Sequence, residues 1–229
     1  MINHLHALFH RPERGWDPIS AAYAAEYTEI QWSQGVRESL LDELERWVGG
    51  FSGKRILDLG GGPGQYSVAF AKRNANVTWH DVSLEYRKVA ETKANNANVH
   101  IEFSIGYMDA ADKLHREPFD LVFSRVCWNY SFSDGSFADV FFNLIKPGGV
   151  GYVDAMNSGA GDPNASWSVQ IRTWLNQQFA IKVGHPMPPH GRIAKLFMKK
   201  PISKILVDYS SPLNDRVTFV KHSPDQISK

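Results

Sequence analysis

Leu57-Asp58-Leu59-Gly60-Gly61-Gly62-Pro63-Gly64 follows an apolar run and precedes the helical pattern Gln65-Tyr66-Ser67-Val68-Ala69-Phe70-Ala71-Lys72. Four glycines and a proline continue neither a strand nor a helix, and ordering glycine is costly in chain entropy. A strand, glycine loop and helix in that order bind ligands at the carboxyl end of a parallel sheet. Three loop types compete for the reading. A phosphate loop, GxxxxGK[ST], needs a Lys and a Ser or Thr that are missing after Gly64. The dinucleotide pattern GxGxxG fails as well, because its sixth position is Gln65 counted from Gly60 and Ser67 counted from Gly62. The register DxGxGxG is met in full by Asp58, Gly60, Gly62 and Gly64.

Outward from this loop the chain alternates. Short apolar runs at "KRILDL", "VTWHD", "VHIEFSI", "FDLVFS" and "GVGYVDAM" read as strands. Helical patterns stand between them, one with Ser83 as N-cap and one closed by Pro147-Gly148-Gly149. Such alternation predicts an α/β fold with a doubly wound, mostly parallel sheet. Towards the C-terminus, "SKILVDYS" and "RVTFVKH" flank a turn and predict an antiparallel hairpin at the sheet edge. Residues 1–50 read as helices, one of them beginning at Asp17 as N-cap with Pro18 at its first position. The expected organisation is a helical lid segment, 1–50, on a ligand-binding domain, 51–229.

A chain of 229 residues with 43% hydrophobic and 12% aromatic content suits one such domain with a full core. The formal charge of +1 supplies no field for nucleic acid or an acidic membrane. One cysteine, Cys127, excludes an internal disulfide and a thiolate metal site, and reads as a small buried apolar residue. With no apolar run of signal-peptide or membrane-spanning length, a cytoplasmic location is expected. "HLHALFH" reads as a frayed or surface terminus rather than a metal site.

The DxGxGxG register resembles motif I of the class I S-adenosylmethionine-dependent methyltransferases, and the resemblance continues over roughly residues 54 to 155. Asp81 ends the second strand, where that family places the acid that holds the ribose hydroxyls. "IGYMDA" follows the third strand, where the family contacts adenine, although the family's acid position is occupied here by Tyr107. "FDLVFS" and "LIKPGGV" resemble the fourth strand and the turn before the fifth. The resemblance implies a Rossmann-like methyltransferase fold and S-adenosyl-L-methionine as cofactor. It implies cofactor contacts at Asp58, Gly60, Gly61, Gly62, Gly64, Tyr66, Asp81, Val82, Tyr107, Met108, Asp109, Ser124 and Arg125. Tyr23 and Tyr27, one helical turn apart, join them if the N-terminal helix closes over the head group.

The acceptor is expected at the loop after the fourth strand. There Trp128 and Tyr130 either wall it or pack into the core, and Asn129 orients it. His185 and His190, in "GHPMPPHGR", are the bases available to an oxygen acceptor, or else solvated loop residues. The acid expected of a catechol-type metal site is missing, so no metal is expected. The "DPPY" tetrad of amino-methylating DNA enzymes is missing too. The expected acceptor is a small molecule of specialised-metabolite biosynthesis, with no nucleic acid or membrane partner and an open oligomeric state, monomer or homodimer. Protein or RNA as acceptor, and a non-catalytic cofactor-binding role, stay as alternatives.

Overall fold

The computed structural model describes residues 2–162 and 164–224. Its spine is a seven-stranded sheet of order β3-β2-β1-β4-β5-β7-β6. The strands are β1 (Arg55–Leu59), β2 (Asn76–Asp81), β3 (Ile101–Ile105), β4 (Phe119–Arg125), β5 (Ile145–Met156), β6 (Ile202–Asp208) and β7 (Asn214–Lys221). β1 to β5 are paired in parallel, and β7 runs antiparallel to both β5 and β6. This is the doubly wound sheet with a C-terminal edge hairpin that the alternation predicts. The order reverses between β1 and β4, where ligand crevices open in such sheets.

Helices α1 (Ile2–Phe9), α2 (Ala21–Gln34) and α3 (Glu38–Val48) precede the sheet. α4 (Gln65–Lys72), α5 (Leu84–Asn96), α6 (Ala111–Leu114) and α7 (Asp134–Asn143) connect β1 to β5, and α8 (Trp167–Phe179) and α9 (Arg192–Phe197) precede the hairpin. Side chains alternate across each strand, so each buries into two cores. Leu57 and Leu59 enter one with Phe137, Phe141 and Phe197. Ile56 enters the other with Leu41, Leu44 and Phe70. Asp58 shares the Ile56 face and is the one carboxylate in β1, flanked by Leu57 and Leu59.

Two local expectations change. Asp17 does not cap its own helix. α2 begins at Ala21, capped by Ser20, whose hydroxyl accepts from Tyr23 N at 3.2 Å. Asp17 instead accepts from Ser83 Oγ at 3.0 Å and Glu85 N at 2.9 Å, so it satisfies the amino end of α5 from a distance. Ser83 is the N-cap of α5 as expected, accepting from Tyr86 N at 3.1 Å. Pro147-Gly148-Gly149 lies inside β5, where the β4 register shifts between Phe119 and Leu121. That irregularity accommodates a proline with no N–H to give the ladder. "HLHALFH" is a surface segment as expected, with Leu5, Leu8 and Phe9 exposed; it runs through α1 to His10, whose ring stacks on His6 at 3.7 Å.

Candidate functional site

The glycine loop leaves β1 and turns into α4. Its glycines have different jobs. A Cβ on Gly60 would stand 2.4 Å from Cys127 Sγ, one on Gly61 2.3 Å from the Trp79 ring, and one on Gly64 2.8 Å from Ala90 Cβ. These three glycines are required by the protein's own packing. Gly62 alone among the loop glycines has open space around it, at φ +48°. Its carbonyl accepts from Trp79 Nε1 at 3.0 Å, and its N–H donates to Asp81 Oδ2 at 3.0 Å. Gly60 N and Gly61 N both donate to His80 O, which ties the loop to β2.

Asp81 ends β2 and also accepts from Ser83 N at 2.9 Å. A carboxylate has about four acceptor positions, and these two bonds leave capacity for a ribose diol. Burial raises the Asp81 pKa. Asp58 is buried beneath the loop, accepts from Ser67 Oγ at 2.6 Å, and is pushed up to about 7, chiefly by burial. Asp109 follows β3. Its Oδ1 accepts from Phe132 N at 2.9 Å, while its buried Oδ2 has no partner among the described residues. Burial raises it to about 6. An orphaned acceptor, a carboxylate with free accepting capacity and one open glycine fit the amino, hydroxyl and backbone-close groups of S-adenosylmethionine. The same loop has nothing to neutralise a phosphate.

Val82 and Met108 are half-buried beside these groups, and a Cβ on Gly60 would stand 4.0 Å from Met108 Cε. Tyr107 stacks on Trp16 at 6.2 Å and donates its hydroxyl to His10 O at 2.7 Å, fastening the N-terminal segment to the loop after β3. Tyr23 and Tyr27 stack at 6.0 Å, and Tyr27 meets Tyr86 of α5 at 6.0 Å. Burial raises the pKa of Tyr27, with further upward contributions from Tyr23 and Tyr130, so these phenols share one neighbourhood. Tyr86 carries no local sequence signal, because a tyrosine in the first turn of a helix looks like any packing residue. Tyr66 is not free for a ligand: its ring is buried with Phe70 and Phe123, and its hydroxyl accepts from Arg37 N at 3.3 Å.

After β4 the chain turns sharply. Val126 takes φ +62°, a left-handed conformation costly for a β-branched residue, and its N–H donates to Asp154 O at 2.7 Å. Ser124 and Cys127 are buried and in contact through Oγ and Sγ at 3.0 Å. Burial pushes the Cys127 thiol up to about 12, which suits an inert packing residue. Trp128 does not wall a pocket. It is 1% exposed, packs on Phe137 and Phe197, and donates from Nε1 to Asp134 Oδ1 at 3.1 Å. Asn129 and Tyr130 remain at the surface of this turn, Tyr130 being exposed.

Lys182, unmarked in the sequence, clamps the turn from below. Its fully buried ammonium donates to Trp128 O at 3.3 Å, Ser131 Oγ at 2.9 Å and Asp134 Oδ1 at 3.1 Å. Three residues on, the His185 ring lies 5.0 Å from Tyr130, and burial lowers its pKa. His190 is not brought to this group. Its Nδ1 lies 2.7 Å from the buried Asp215 carboxylate and 2.9 Å from Asn157 Nδ2, and its ring packs on Tyr209. Among the described residues no group of three or more His, Cys, Asp or Glu is placed to hold a metal. No helix among them is long and apolar enough to cross a membrane.

Comparison with known proteins agrees with this geometry. The family described as "Methyltransferase domain" matches residues 56–149. The ubiquinone biosynthesis O-methyltransferase of Psychrobacter arcticus is 31% identical over 110 residues, covering 47% of this chain and 43% of its own. That of Shewanella pealeana is 29% identical over 143 residues, covering 62% and 58%. The chain thus spans about half the length of these curated relatives. Among solved structures, a SAM-dependent methyltransferase from Aquifex aeolicus superposes with a TM-score of 0.61 over 88% of this chain and 98% of that one, at 14% identity, which establishes the shared fold.

Proposed function

We propose that the chain is a class I S-adenosylmethionine-dependent methyltransferase that transfers a methyl group to a small-molecule acceptor, a reading supported by its match to the methyltransferase domain over residues 56–149 and its likeness to curated O-methyltransferases. The observation that carries this reading is the bond from Gly62, the one open loop glycine, to Asp81 at the end of β2. A bound cofactor would supply a methyl carbon already activated towards displacement by its sulfonium.

What remains for the protein is alignment, and effective molarity is the main gain from it. Asp81 takes the ribose hydroxyls in charge-assisted bonds. Asp109 Oδ2 accepts from the adenine amino group, and Val82 and Met108 line the ring. Asp58 favours the head-group ammonium. Residues 1–50 act as the lid on residues 51–229, with Tyr23 and Tyr27 closing over the site and Asp17 fastening the segment to α5. Tyr130 and Asn129 border the acceptor, and His185, kept neutral by burial, receives the acceptor's proton. The relatives named as O-methyltransferases favour an oxygen acceptor, such as a phenol of a specialised metabolite.

The test is incubation with methyl-labelled cofactor and a panel of phenols, amines and carboxylic acids. Acceptor-dependent label transfer to a phenol is the expected result. Cofactor binding with no transfer across the whole panel contradicts the enzymatic reading and favours the non-catalytic one.

A further inference from the structure

A groove of about 350 Å³ lies on the α3 side of the sheet. That is the small end of the range for ligand pockets, roughly 300–1,000 Å³. Its floor is a row of residues in register, Tyr152 of β5, Thr218 of β7 and Leu206 of β6. Its wall is α3 and the residue before it, with Arg37, Leu40, Glu43 and Arg46 lining the groove. β4 stands between this floor and β1, so the groove is separate from the crevice that opens between β1 and β4.

The charges about the groove leave one cation over. The next row of the sheet is Arg125, Asp154, Arg216 and Asp208, in register across β4, β5, β7 and β6. Two cations alternate with two anions there, so the row is balanced. Arg125 ends it, over the Tyr66 ring at 5.4 Å. Arg216 Nη1 donates to Asp208 Oδ2 at 3.0 Å. On α3, Glu43 and Arg46 offset each other in charge. Arg37 has no such match. Its neighbour Glu38 is taken by Arg73 at 2.7 Å. Among the described residues Arg37 forms no ion pair, and its one side-chain hydrogen bond runs from Nη2 to Tyr152 Oη at 3.4 Å. Arg46 is nine residues further on, about 13 Å along the helix, and stands at the other end of the groove.

Three donors meet at the Arg37 end. Tyr152 accepts from Arg37, and its own O–H proton has no acceptor among the described residues. Arg216 Nε is buried without an acceptor, because Asp154 Oδ2 at 3.6 Å is outside hydrogen-bond range. Burial and the Asp154 carboxylate raise the Tyr152 pKa, and Arg37 and Arg216 oppose the rise, so both guanidinia face its hydroxyl. A buried charged donor left unpaired is costly, and a guanidinium fork matches a carboxylate. Beside these donors the floor turns apolar at Leu206, which is 46% exposed.

We propose that this groove binds a small monocarboxylate with an apolar body, the carboxylate held between Arg37, Arg216 and the Tyr152 hydroxyl and the apolar part lying on Leu206. One unmatched cation suits a single negative charge better than the dianion of phosphate, which would also face Asp208 and Asp154. The groove is apart from the cofactor and acceptor positions, so the proposal goes beyond the methyltransferase reading and does not rest on it.

The probe is benzoate, titrated calorimetrically at pH 8 and constant ionic strength, with benzamide and inorganic phosphate as comparisons. The expected result is saturable binding of one benzoate per chain, with benzamide and phosphate at least tenfold weaker. Benzoate affinity falls tenfold or more in Arg37→Gln, whose side chain is exposed. It falls also in Leu206→Glu, which sets a like charge beside the ligand, and circular dichroism checks the fold of both variants. Saturating S-adenosylhomocysteine leaves benzoate affinity within twofold. The proposal is overturned if wild type binds benzoate no better than benzamide or phosphate, or if either variant binds it as wild type does. Displacement of benzoate by S-adenosylhomocysteine overturns it as well, because the ligand then sits in the crevice. Failure of the methyltransferase reading looks different: the chain then binds no S-adenosylhomocysteine, and the benzoate comparisons stand unchanged.

Discussion

The glycine-loop side and the β4–α8 side of this crevice are built by opposite means. On the first, backbone does the work. Gly60 and Gly61 donate to His80 O, Gly62 donates to Asp81, and the contacts join residues about twenty apart. On the second, long side chains reach across the fold. Lys182 ties Trp128, Ser131 and Asp134 together over about fifty residues, and Arg192 meets the same Asp134 at 3.1 Å. A backbone cradle holds one ligand in one pose. Side-chain bracing leaves the outer residues of a turn, here Asn129 and Tyr130, exchangeable without loss of the scaffold.

Three substitutions test that division. The largest effect is expected from Lys182→Met, which strands part of a buried ion pair and costs about 3 kcal/mol in urea unfolding. If the two sides are independent, S-adenosylhomocysteine affinity stays within roughly twofold, as for distant sites without shared partners. A much larger change in affinity would join the sides. Next comes Gly61→Ala. Its Cβ meets the Trp79 ring at 2.3 Å, and overpacking of this kind costs about 2 kcal/mol. Here stability and nucleoside affinity fall together, and a variant as stable as wild type would contradict the packing role of that glycine. The smallest effect concerns Asp58, neutral below about 7 and ionised above it. A head-group ammonium favours the ionised form, so affinity rises by about threefold from pH 6 to pH 8. Asp58→Asn flattens the profile. An unchanged profile in the variant would remove Asp58 from the account.

The same division explains what the sequence conveys. The sheet, the edge hairpin, the Ser83 cap and the loop with Asp81 are legible because each is written in local spacing: strand period, cap position, glycine register. Asp17 misleads for the same reason. Asp-Pro looks like the start of its own helix, yet the carboxylate serves α5, 66 residues away. Trp128 and Tyr130 stand two apart in one turn, and residue type does not separate the core ring from the exposed one. Lys182 has no local signal, because its partners lie 48 or more residues away. His185 and His190 share one Pro-rich loop, and only the fold sends one to Tyr130 and the other to Asp215.

The most direct test of the central claim is calorimetric titration of S-adenosylhomocysteine into the full chain and into Asp81→Ala. One site per chain is expected, with affinity lost by about a hundredfold when the charge-assisted bonds to the ribose go. No binding by wild type, or equal binding by the variant, would contradict it.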